Sequence, residues 1–380
     1  MMSDILVWPV NTKKDLKKFI RFPNDLYQDD PNYVQPLMME RLDSLQAHKN
    51  PYFDHAEVQF WLATKDDKIV GRISAQVCEL VKENIDPKLG QFGMFECIDD
   101  QEVADALLVT ALDWLKERGM DKVHGPYNLS VNMETGLLVD GFDTPPMIMM
   151  GHGKPYYESL LEKYGFKGVK NLYAYHGPVK DMCPPKVQKL YEMAQNNDKL
   201  VLHKMNMSKM EEELKTYFDI FNESWSDNWG FVPFTDAEGV HAAKSMKPLL
   251  NKHRCTWVEY KGEPAGFMIA LPDINEYIKD LKGGENIFNL IRLGWRLLTR
   301  KPKSYRVPLM GIRKKYQGKA IGALMTVMMT ETCRQNAIEN GLEYGELSWI
   351  LEDNKGMISI LENINSVPYK TYRLYEKAID

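Results

Sequence analysis

A strand that leads through a glycine-containing loop into a helix is the most informative segment of this chain. The strand is Tyr305–Ile312, and the loop Gln317–Gly322 reads QGKAIG. Apolar residues then recur at i, i+3, i+4 and i+7, the spacing of a buried helix face: Ile321, Leu324, Met325 and Met328. The loop therefore enters a helix N-terminus, where unpaired backbone N–H groups and the helix dipole favour an anion.

The composition of this loop leaves two interpretations open. Gly318 and Gly322 carry no Cβ, which would let a phosphate approach the backbone closely. Nearby cations are Arg313, Lys314, Lys315 and Lys319. A phosphate site and a solvated basic loop before a core helix both fit this spacing. In the phosphate interpretation the contact residues are Ile312, Arg313, Lys314, Gln317, Gly318, Lys319, Ala320, Ile321 and Gly322.

The order of predicted elements divides the chain into two similar halves. A chain of 380 residues is too long for one ordinary core, and a Pro- and Gly-containing linker, GPVKDMCPPK, lies near the middle. Each half reads β-α-α-β-β-β-α-β-α-β. We therefore predict an α/β (α+β) fold with two domains, residues 1–178 and 179–380, each a mixed sheet flanked by helices.

The second half resembles the Gcn5-related N-acetyltransferase (GNAT) superfamily. The family signature [QR]-x-x-G-x-[GA], which grips the acyl-CoA pyrophosphate, is matched by Gln317, Ala320 and Gly322, with Ala320 in place of the first glycine. Downstream, NKGMISILENIN matches the family pattern N-x-x-A-x-x-x-Y at Asn354. Leu361 occupies the position of the tyrosine that protonates the departing thiolate in many members. The resemblance implies an acyl-CoA co-substrate, contacted also by Asn354, and no metal.

The first half resembles the same fold more faintly. The segment YYESLLEKYGF is similar to the closing helix of the family, but the acidic IDDQE stands where the phosphate loop is expected. The whole chain is also similar to a bacterial tandem-GNAT family, through GPYNLSVN, GLLVDGFDTPP and LSWILEDN. Some members of that family are linked to N-acylation of sphingoid bases. The resemblance implies a degenerate first domain, a cofactor-binding second domain, and transfer of an acyl group to a primary amine.

Acyl transfer to an amine needs a base for the amine and a proton for the thiolate. The resemblance implies that Tyr305–Ile312 and the strand YGELSWILE part around the acyl-pantetheine. Period-2 alternation puts Glu346, Ser348 and Glu352 on one face of that second strand, as candidate catalytic residues or as ordinary solvent-facing or paired side chains. Tyr369, Tyr372 and Tyr375 could replace the missing acid or simply fill a core. Asn354 is explained equally well as a helix N-cap.

A long polar loop in the first half is a candidate wall of the acceptor pocket. It reads HGPYNLSVNMETGLLVDGFDTPPMIMMGHGKPYY, and loops of this length are either functional or simple connections. A second candidate lining is the aromatic NESWSDNWGFVPF, which would otherwise be core. The candidate acceptor contacts are Tyr127, Asn128, Asn132, Glu134, His152 and Trp229.

An inserted basic amphipathic helix is predicted in the segment 286–303. Its apolar residues are Ile287, Leu290, Ile291, Leu297 and Leu298, and its arginines are Arg292, Arg296 and Arg300. Such a helix lies on a membrane surface, covers a lipidic ligand, or packs on its own sheet with the arginines in solvent.

Composition narrows the functional classes. A net charge of −5 without a basic block argues against general nucleic-acid binding. Five scattered cysteines and eight histidines lack metal-site spacing, and the N-terminus is charged too early for a signal peptide. We predict a cytoplasmic enzyme, peripheral at the inner membrane if the insertion binds lipid. The alternatives are a non-catalytic acyl-CoA or lipid binder and an aminoacyl or peptidyl transferase. The acyl length, the acceptor and the oligomeric state stay open.

Overall fold

The computed structural model describes residues 5–379 and divides them into two compact units. The first holds the described residues up to Leu172, the segment Ile278–Trp295, and the described residues from Lys370 onward. The second holds Tyr173–Tyr277 and Arg296–Tyr369. This division differs from the predicted one after residue 178, because two later segments make their contacts in the first unit. Residues 1–4, the start of the N-terminal segment that is charged too early for a signal peptide, lie outside the described residues.

The elements are numbered here in chain order. Up to residue 178 they are β1 (Leu6–Pro9), α1 (Lys13–Leu26), α2 (Met38–Ser44), β2 (Ala56–Lys65), β3 (Lys68–Cys78), α3 (Glu79–Asn84), β4 (Leu89–Cys97), α4 (Gln101–Glu117), β5 (Lys122–Gly125), β6 (Tyr127–Asn128), β7 (Glu134–Thr135), β8 (Leu137–Asp140), α5 (Tyr157–Lys163) and β9 (Lys167–Pro178). After it they are α6 (Pro185–Gln195), β10 (Leu200–Lys204), α7 (Met210–Trp225), α8 (Asp236–Met246), β11 (Cys255–Tyr260), β12 (Glu263–Pro272), α9 (Asn275–Ile278), α10 (Ile287–Thr299), β13 (Ser304–Ile312), α11 (Ala320–Glu339), β14 (Tyr344–Leu351), α12 (Lys355–Asn363) and β15 (Val367–Ala378).

The sheet of the first unit follows the order β1–β2–β3–β4–β5, and β15 pairs with β5. All neighbours are antiparallel except β4 and β5, which are parallel and pair only from Leu89↔Lys122 to Gln91↔His124. The apolar face of α4 packs on this sheet, with Leu107 and Leu115 fully buried. The β2–β3 turn places Asp66 and Asp67 at positive φ, the conformation that a tight two-residue hairpin turn requires.

The sheet of the second unit follows the order β10–β11–β12–β13–β14. Its neighbours are antiparallel except β13 and β14, which run parallel and pair only from Ser304↔Tyr344 to Val307↔Leu347. α11 covers the sheet, with Met325 and Met329 fully buried in the core. Each unit is thus a mixed sheet flanked by helices, which confirms the predicted fold class.

The predicted order of elements recurs in both halves, and the structure adds α3 and β6–β8 to the first half and α6 and α9 to the second. α6 begins at Pro185, inside the segment predicted as a linker, and buries Val187, Tyr191 and Ala194. The two helices predicted after the first strand are α1 and α2. Within residues 5–379, no helix combines the length and apolar character needed to cross a bilayer.

Candidate active site

The second unit presents an uncapped helix N-terminus at the end of β13. α11 begins at Ala320 after Lys319, and no side chain caps its first turn. The loop that leads there is held by its own contacts: the Gln317 amide donates to the carbonyl oxygens of Ile312 (2.8 Å) and Ser224 (3.2 Å). The helix dipole and first-turn amides thus face an exposed surface, the arrangement that suits an anion.

Most of the charge on this loop is already paired. Arg313 contacts Glu223 and Asp219 and donates to the carbonyl oxygen of Pro264 (2.8 Å). Lys314 pairs with Asp227 and Lys315 with Glu263. Of the four cations, Lys319 is the one for which the described residues show no ion pair. Arg313 and Lys314 therefore hold the loop in shape, and their contact with a phosphate stays a prediction.

Gly318 and Gly322 favour glycine for different physical reasons. Gly318 adopts a left-handed φ of +68°, and a Cβ there would meet nothing within 4 Å. At Gly322 a Cβ would lie 2.4 Å from the carbonyl oxygen of Tyr316. The absence of a side chain at Gly322 is thus required by the protein's own backbone, a different reason from the phosphate approach expected from the sequence. Ala320 is exposed and Ile321 packs partly on the core.

An apolar cavity of about 180 Å³ extends along α11. Its walls come from α6, α11, β13, β14 and α12, and include Val187, Val307, Ala323, Thr326, Leu347 and Leu361. Leu361 is completely buried beside Leu347 and Tyr175, so the position of the family's tyrosine is filled by a wall of the cavity. The cavity begins one turn after the uncapped helix start, a shape that fits an extended chain whose charged end lies at α11.

A row of polar side chains, three of them buried and two half-buried, crosses four strands of the same unit. Arg306 on β13 lies 3.3 Å from Glu346 on β14 and donates to the Ser348 hydroxyl at 2.7 Å. The Ser348 hydroxyl and the Tyr369 hydroxyl both donate to the Glu346 carboxylate. The His176 ring on β9 packs on the Tyr369 ring at a tilt of 31°, with centroids 4.3 Å apart. We call these five residues the polar row.

The polar row and the apolar cavity lie on opposite faces of the sheet. Along β13 and β14, Tyr305, Val307 and Leu347 line the cavity, whereas the alternate residues Arg306 and Glu346 belong to the row. β13 and β14 stop pairing after Val307 and Leu347. We call the unpaired stretch beyond these two residues the slot; its closed end lies next to Arg306 and Glu346 of the row.

The other residues expected around the chemistry occupy distinct places. Glu352 lies in the turn just after β14 and does not continue the strand face of Glu346 and Ser348. Asn354 caps α12, accepting a hydrogen bond from the Met357 amide (3.1 Å), which is the capping role considered above. The role of Glu352 as a base and of Asn354 as a cofactor contact stay predictions.

The predicted acceptor contacts of the first unit are tied to one another and to nearby helices. Asn128 accepts from the Met94 amide (2.8 Å) and donates to Glu134 (2.8 Å), which also pairs with Arg41. Burial is the largest single effect on the Glu134 carboxyl and raises its pKa, but the Arg41 charge and the hydrogen bonds from Arg41 and Asn128 together hold the pKa below its ordinary value. Their role as acceptor contacts stays a prediction.

Four candidate acceptor contacts remain: Tyr127, Asn132, His152 and Trp229. Tyr127 is buried, and Asn132 lies in the turn between β6 and β7. His152 contacts Asp30 at 2.9 Å, and burial lowers the pKa of its imidazole. Trp229 is half-buried in the second unit, just after α7. Their role as acceptor contacts stays a prediction.

In the first unit, other parts of the chain fill the two places that are unfilled in the second: the opening beside the parallel strand pair and the N-terminus of the following helix. A Cβ on Gly93 of β4 would lie 1.6 Å from the carbonyl oxygen of Tyr127, so β6 fills the opening next to the short β4–β5 pairing. At the start of α4, the Asp100 carboxylate accepts from the Glu102 amide (2.9 Å) and pairs with Lys65. A carboxylate of the protein thus occupies the place where α11 is uncapped.

The sequence suggested the loop, Glu346 and Ser348 as candidates, but it did not suggest Arg306 and His176. A charged residue between Tyr305 and Val307 in an apolar strand was a usable signal, because a buried arginine needs a partner. His176 gave no signal, since its neighbours in the row are far from it in sequence. Among the described residues, no group of three or more side chains has the composition of a metal site.

Two known proteins are similar to this chain over almost its whole length. The "Bacterial ceramide synthase" of Caulobacter vibrioides is 43% identical over 378 residues, which are 99% of this chain and 98% of that protein. The "Protein YghO" of Escherichia coli is 42% identical over 368 residues, covering 97% of this chain and 94% of that protein. No family model matches the chain.

Solved structures with the same fold are far less similar in sequence. A tandem GNAT protein from the clavulanic acid biosynthesis pathway superposes with a TM-score of 0.61 at 10% identity and covers 99% of both chains. A GCN5-related N-acetyltransferase from Sphaerobacter thermophilus gives a TM-score of 0.54 at 10% identity, over 99% of this chain and 96% of that chain. These likenesses confirm the tandem GNAT fold expected from the sequence.

Proposed function

Because this chain belongs to the same family as the ceramide synthase of Caulobacter vibrioides, we propose that it is an acyl-CoA-dependent N-acyltransferase whose acceptor is a long-chain, sphingoid-like amine. The single observation that carries the proposal is the slot between β13 and β14, with the apolar cavity on one face and the polar row on the other. A thioester on the cavity side and an amine on the side of the polar row could meet there, so that the amine nitrogen attacks the carbonyl carbon.

The residues of the second unit fit acyl-CoA part by part. The uncapped start of α11 and the unpaired Lys319 suit the pyrophosphate. The walls of the apolar cavity suit the pantetheine and an acyl chain. Acyl-CoA would supply the activated carbonyl carbon; this chain's own residues would orient it, exclude water and move protons.

The decisive experiment is an assay of amide formation with a matched pair of acceptors. Purified protein is mixed with acetyl-CoA or palmitoyl-CoA and either sphinganine or ethanolamine, which share the amino-alcohol head but differ in the chain. We expect amide and free CoA thiol from palmitoyl-CoA and sphinganine, detected by mass spectrometry and a thiol reagent. Equal turnover of ethanolamine would show that the long chain is not recognised.

A non-catalytic acyl-CoA binder is the second candidate, because Leu361 removes the family's proton donor and Ala320 replaces a glycine of its phosphate loop. This candidate predicts calorimetric binding of palmitoyl-CoA without release of thiol in the presence of any of the amines. The two candidates are therefore separated by turnover in the same samples.

We further propose that α10 carries the protein to the membrane surface. Ile287, Phe288, Ile291, Trp295 and Leu298 are exposed, Phe288 by 73% and Leu298 by 88%. At about 100° per residue these five side chains fall within one arc of the helix. Arg300, Lys301 and Lys303 are exposed at its end. An apolar stripe beside cations matches an anionic lipid surface, where a long-chain amine would also reside.

The stripe differs in part from the predicted face. Leu290 is half-buried, whereas Phe288 and Trp295 join the exposed side. Arg296, expected in solvent, is 3% exposed and donates to the carbonyl oxygen of Tyr277, because it lies on the side of the helix opposite to Ile287. Arg292 is exposed and pairs with Asp280 at 2.7 Å. The protein is thus proposed to be cytoplasmic and peripheral at the inner membrane.

A further inference from the structure

We infer that Tyr369 is the catalytic residue that moves protons in the acyl transfer, in place of the tyrosine that Leu361 replaces. The inference rests on the proposed function and concerns which group does its acid–base chemistry. The Tyr369 hydroxyl donates to Glu346, and its side chain is half-exposed, whereas Leu361 is completely buried among apolar side chains.

Glu346 cannot reach a substrate by itself. Its side chain is 0% exposed. One carboxylate oxygen accepts from Ser348 and lies 3.3 Å from Arg306, and the other accepts from Tyr369. A proton that enters or leaves this carboxylate must therefore pass through a neighbouring group, and Tyr369 is the partner that is both acidic and half-exposed.

The position of the Tyr369 hydroxyl fits the reacting atoms. It contacts Glu346, which precedes by one residue the last β14 residue that pairs with β13. The hydroxyl thus lies beside the last paired residues of β13 and β14, next to where the slot begins. The His176 ring packs on the Tyr369 ring with centroids 4.3 Å apart and planes tilted by 31°, so it holds the phenol ring against β9 as a positioning residue.

The other two tyrosines of β15 are committed elsewhere. Tyr372 is completely buried and donates to the carbonyl oxygen of Gly151 (3.2 Å). Tyr375 is completely buried and donates to Glu158 (3.1 Å). Neither contacts Glu346, so the three tyrosines that the sequence could not tell apart are separated by their partners.

The proton movements balance without any further reagent. As the amine nitrogen forms the new C–N bond, it gives a proton to the Tyr369 oxygen while the Tyr369 proton passes to Glu346. As the C–S bond breaks and its electron pair leaves on sulfur, Glu346 returns a proton to Tyr369, and Tyr369 protonates the thiolate. A neutral amine and a thioester become an amide and a free thiol.

The test compares three substitutions that each remove one hydroxyl from the same strand. Tyr369→Phe should lower kcat by about 10²–10⁴-fold while palmitoyl-CoA binds as before. Tyr372→Phe and Tyr375→Phe should keep kcat within a few-fold of the original protein. In a double variant, Tyr369→Phe with Glu346→Gln should lose no more than the worse single variant, because the two groups act as one unit.

A second measurement excludes a merely structural role. Replacing Tyr369 by 3,5-difluorotyrosine keeps the ring and lowers the phenol pKa, so the alkaline limb of kcat should move to lower pH. An unmoved limb, or full kcat in Tyr369→Phe, would overturn this inference while leaving the proposed function intact. If the unaltered protein forms no amide with palmitoyl-CoA and sphinganine, the proposed function itself fails, and the proton relay fails with it.

Discussion

At the scale of single residues, charge in the second unit serves two separate purposes. Most cations of the loop before α11 are paired with acidic side chains of α7 and nearby turns, which shapes the loop. In contrast, the Arg306–Glu346 pair lies where almost no solvent reaches, and breaking one partner would leave an uncompensated buried charge. Substitutions in the loop should therefore change ligand binding, whereas substitutions of Arg306 should change folding.

A charge placed at residue 320 tests the anion site. Ala320→Glu adds an acid to the first turn of α11, which the helix dipole favours by about 0.3–1 kcal/mol, while repelling a phosphate. We expect CoA binding to weaken by roughly 1–3 kcal/mol without loss of thermal stability. Calorimetric titration measures this, with Ala320→Gln as the uncharged control of equal size. Equal affinities of the two variants would place the phosphates elsewhere.

The buried histidines of the first unit predict how stability depends on pH. Burial lowers the pKa of His152, against the opposing effect of Asp30, and lowers the pKa of His124 similarly. As the pH falls below about 6.5, these histidines therefore take up protons in the unfolded chain before they do so in the folded chain. The free energy of unfolding decreases over this range, until the pH reaches the lowered pKa values of the folded state. Denaturant unfolding at pH 7.5 and 5.5 should show a smaller decrease in His152→Gln than in exposed His48→Gln; identical decreases would contradict this.

At the scale of elements, sequence patterns located helices and strands better than they located faces. The β2–β3 hairpin and α11 follow from turn chemistry and 3.6-residue periodicity, which are local. α6 was missed because its Pro-Pro start resembles a linker, although proline at the first position also begins helices. The face of α10 was partly wrong because periodicity does not show which side the protein covers. The polar row depends on Tyr369 and His176 meeting Glu346 across strands, which no local pattern encodes.

The exposed stripe of α10 predicts binding to anionic vesicles. Each large apolar side chain that enters the bilayer contributes about 1.5–3 kcal/mol. Phe288→Glu/Leu298→Glu should abolish flotation with phosphatidylglycerol vesicles, and the fold should persist because both side chains are exposed. The matched control is Val109→Glu/Met193→Glu, which adds the same charges at exposed apolar residues of α4 and α6. Equal flotation of the two variants would refute a membrane role for α10.

At the scale of the whole molecule, one topology occurs twice, but the opening beside its parallel strands is filled in the first unit and unfilled in the second. Both units pair their parallel strands over a few residues only. In the first unit β6 and Asp100 occupy the positions that remain open in the second. Duplication of a fold therefore does not imply two binding sites, since a few residues of loop decide whether a slot exists.

Hydrogen exchange can test this asymmetry directly. CoA should slow amide exchange at the start of α11, at β13 and at α12, because these surround the slot and the apolar cavity. The start of α4 should exchange at the same rate with and without CoA, since Asp100 already caps it. Protection at residues 101–104 would show that the first unit also binds the nucleotide.

The pairing of β15 with β5 has a consequence for synthesis of the chain. β5 is complete by Gly125, but its partner residues Tyr375–Ala378 are made only after the entire second unit. During translation the nascent first unit therefore carries an open strand edge, the kind of surface that recruits chaperones or pairs with other chains. Protease digestion of stalled ribosome complexes should cut near β5 until the last strand has emerged. The order in which the strands are synthesised, rather than the stability of the finished fold, then determines how long the first unit is prone to aggregation.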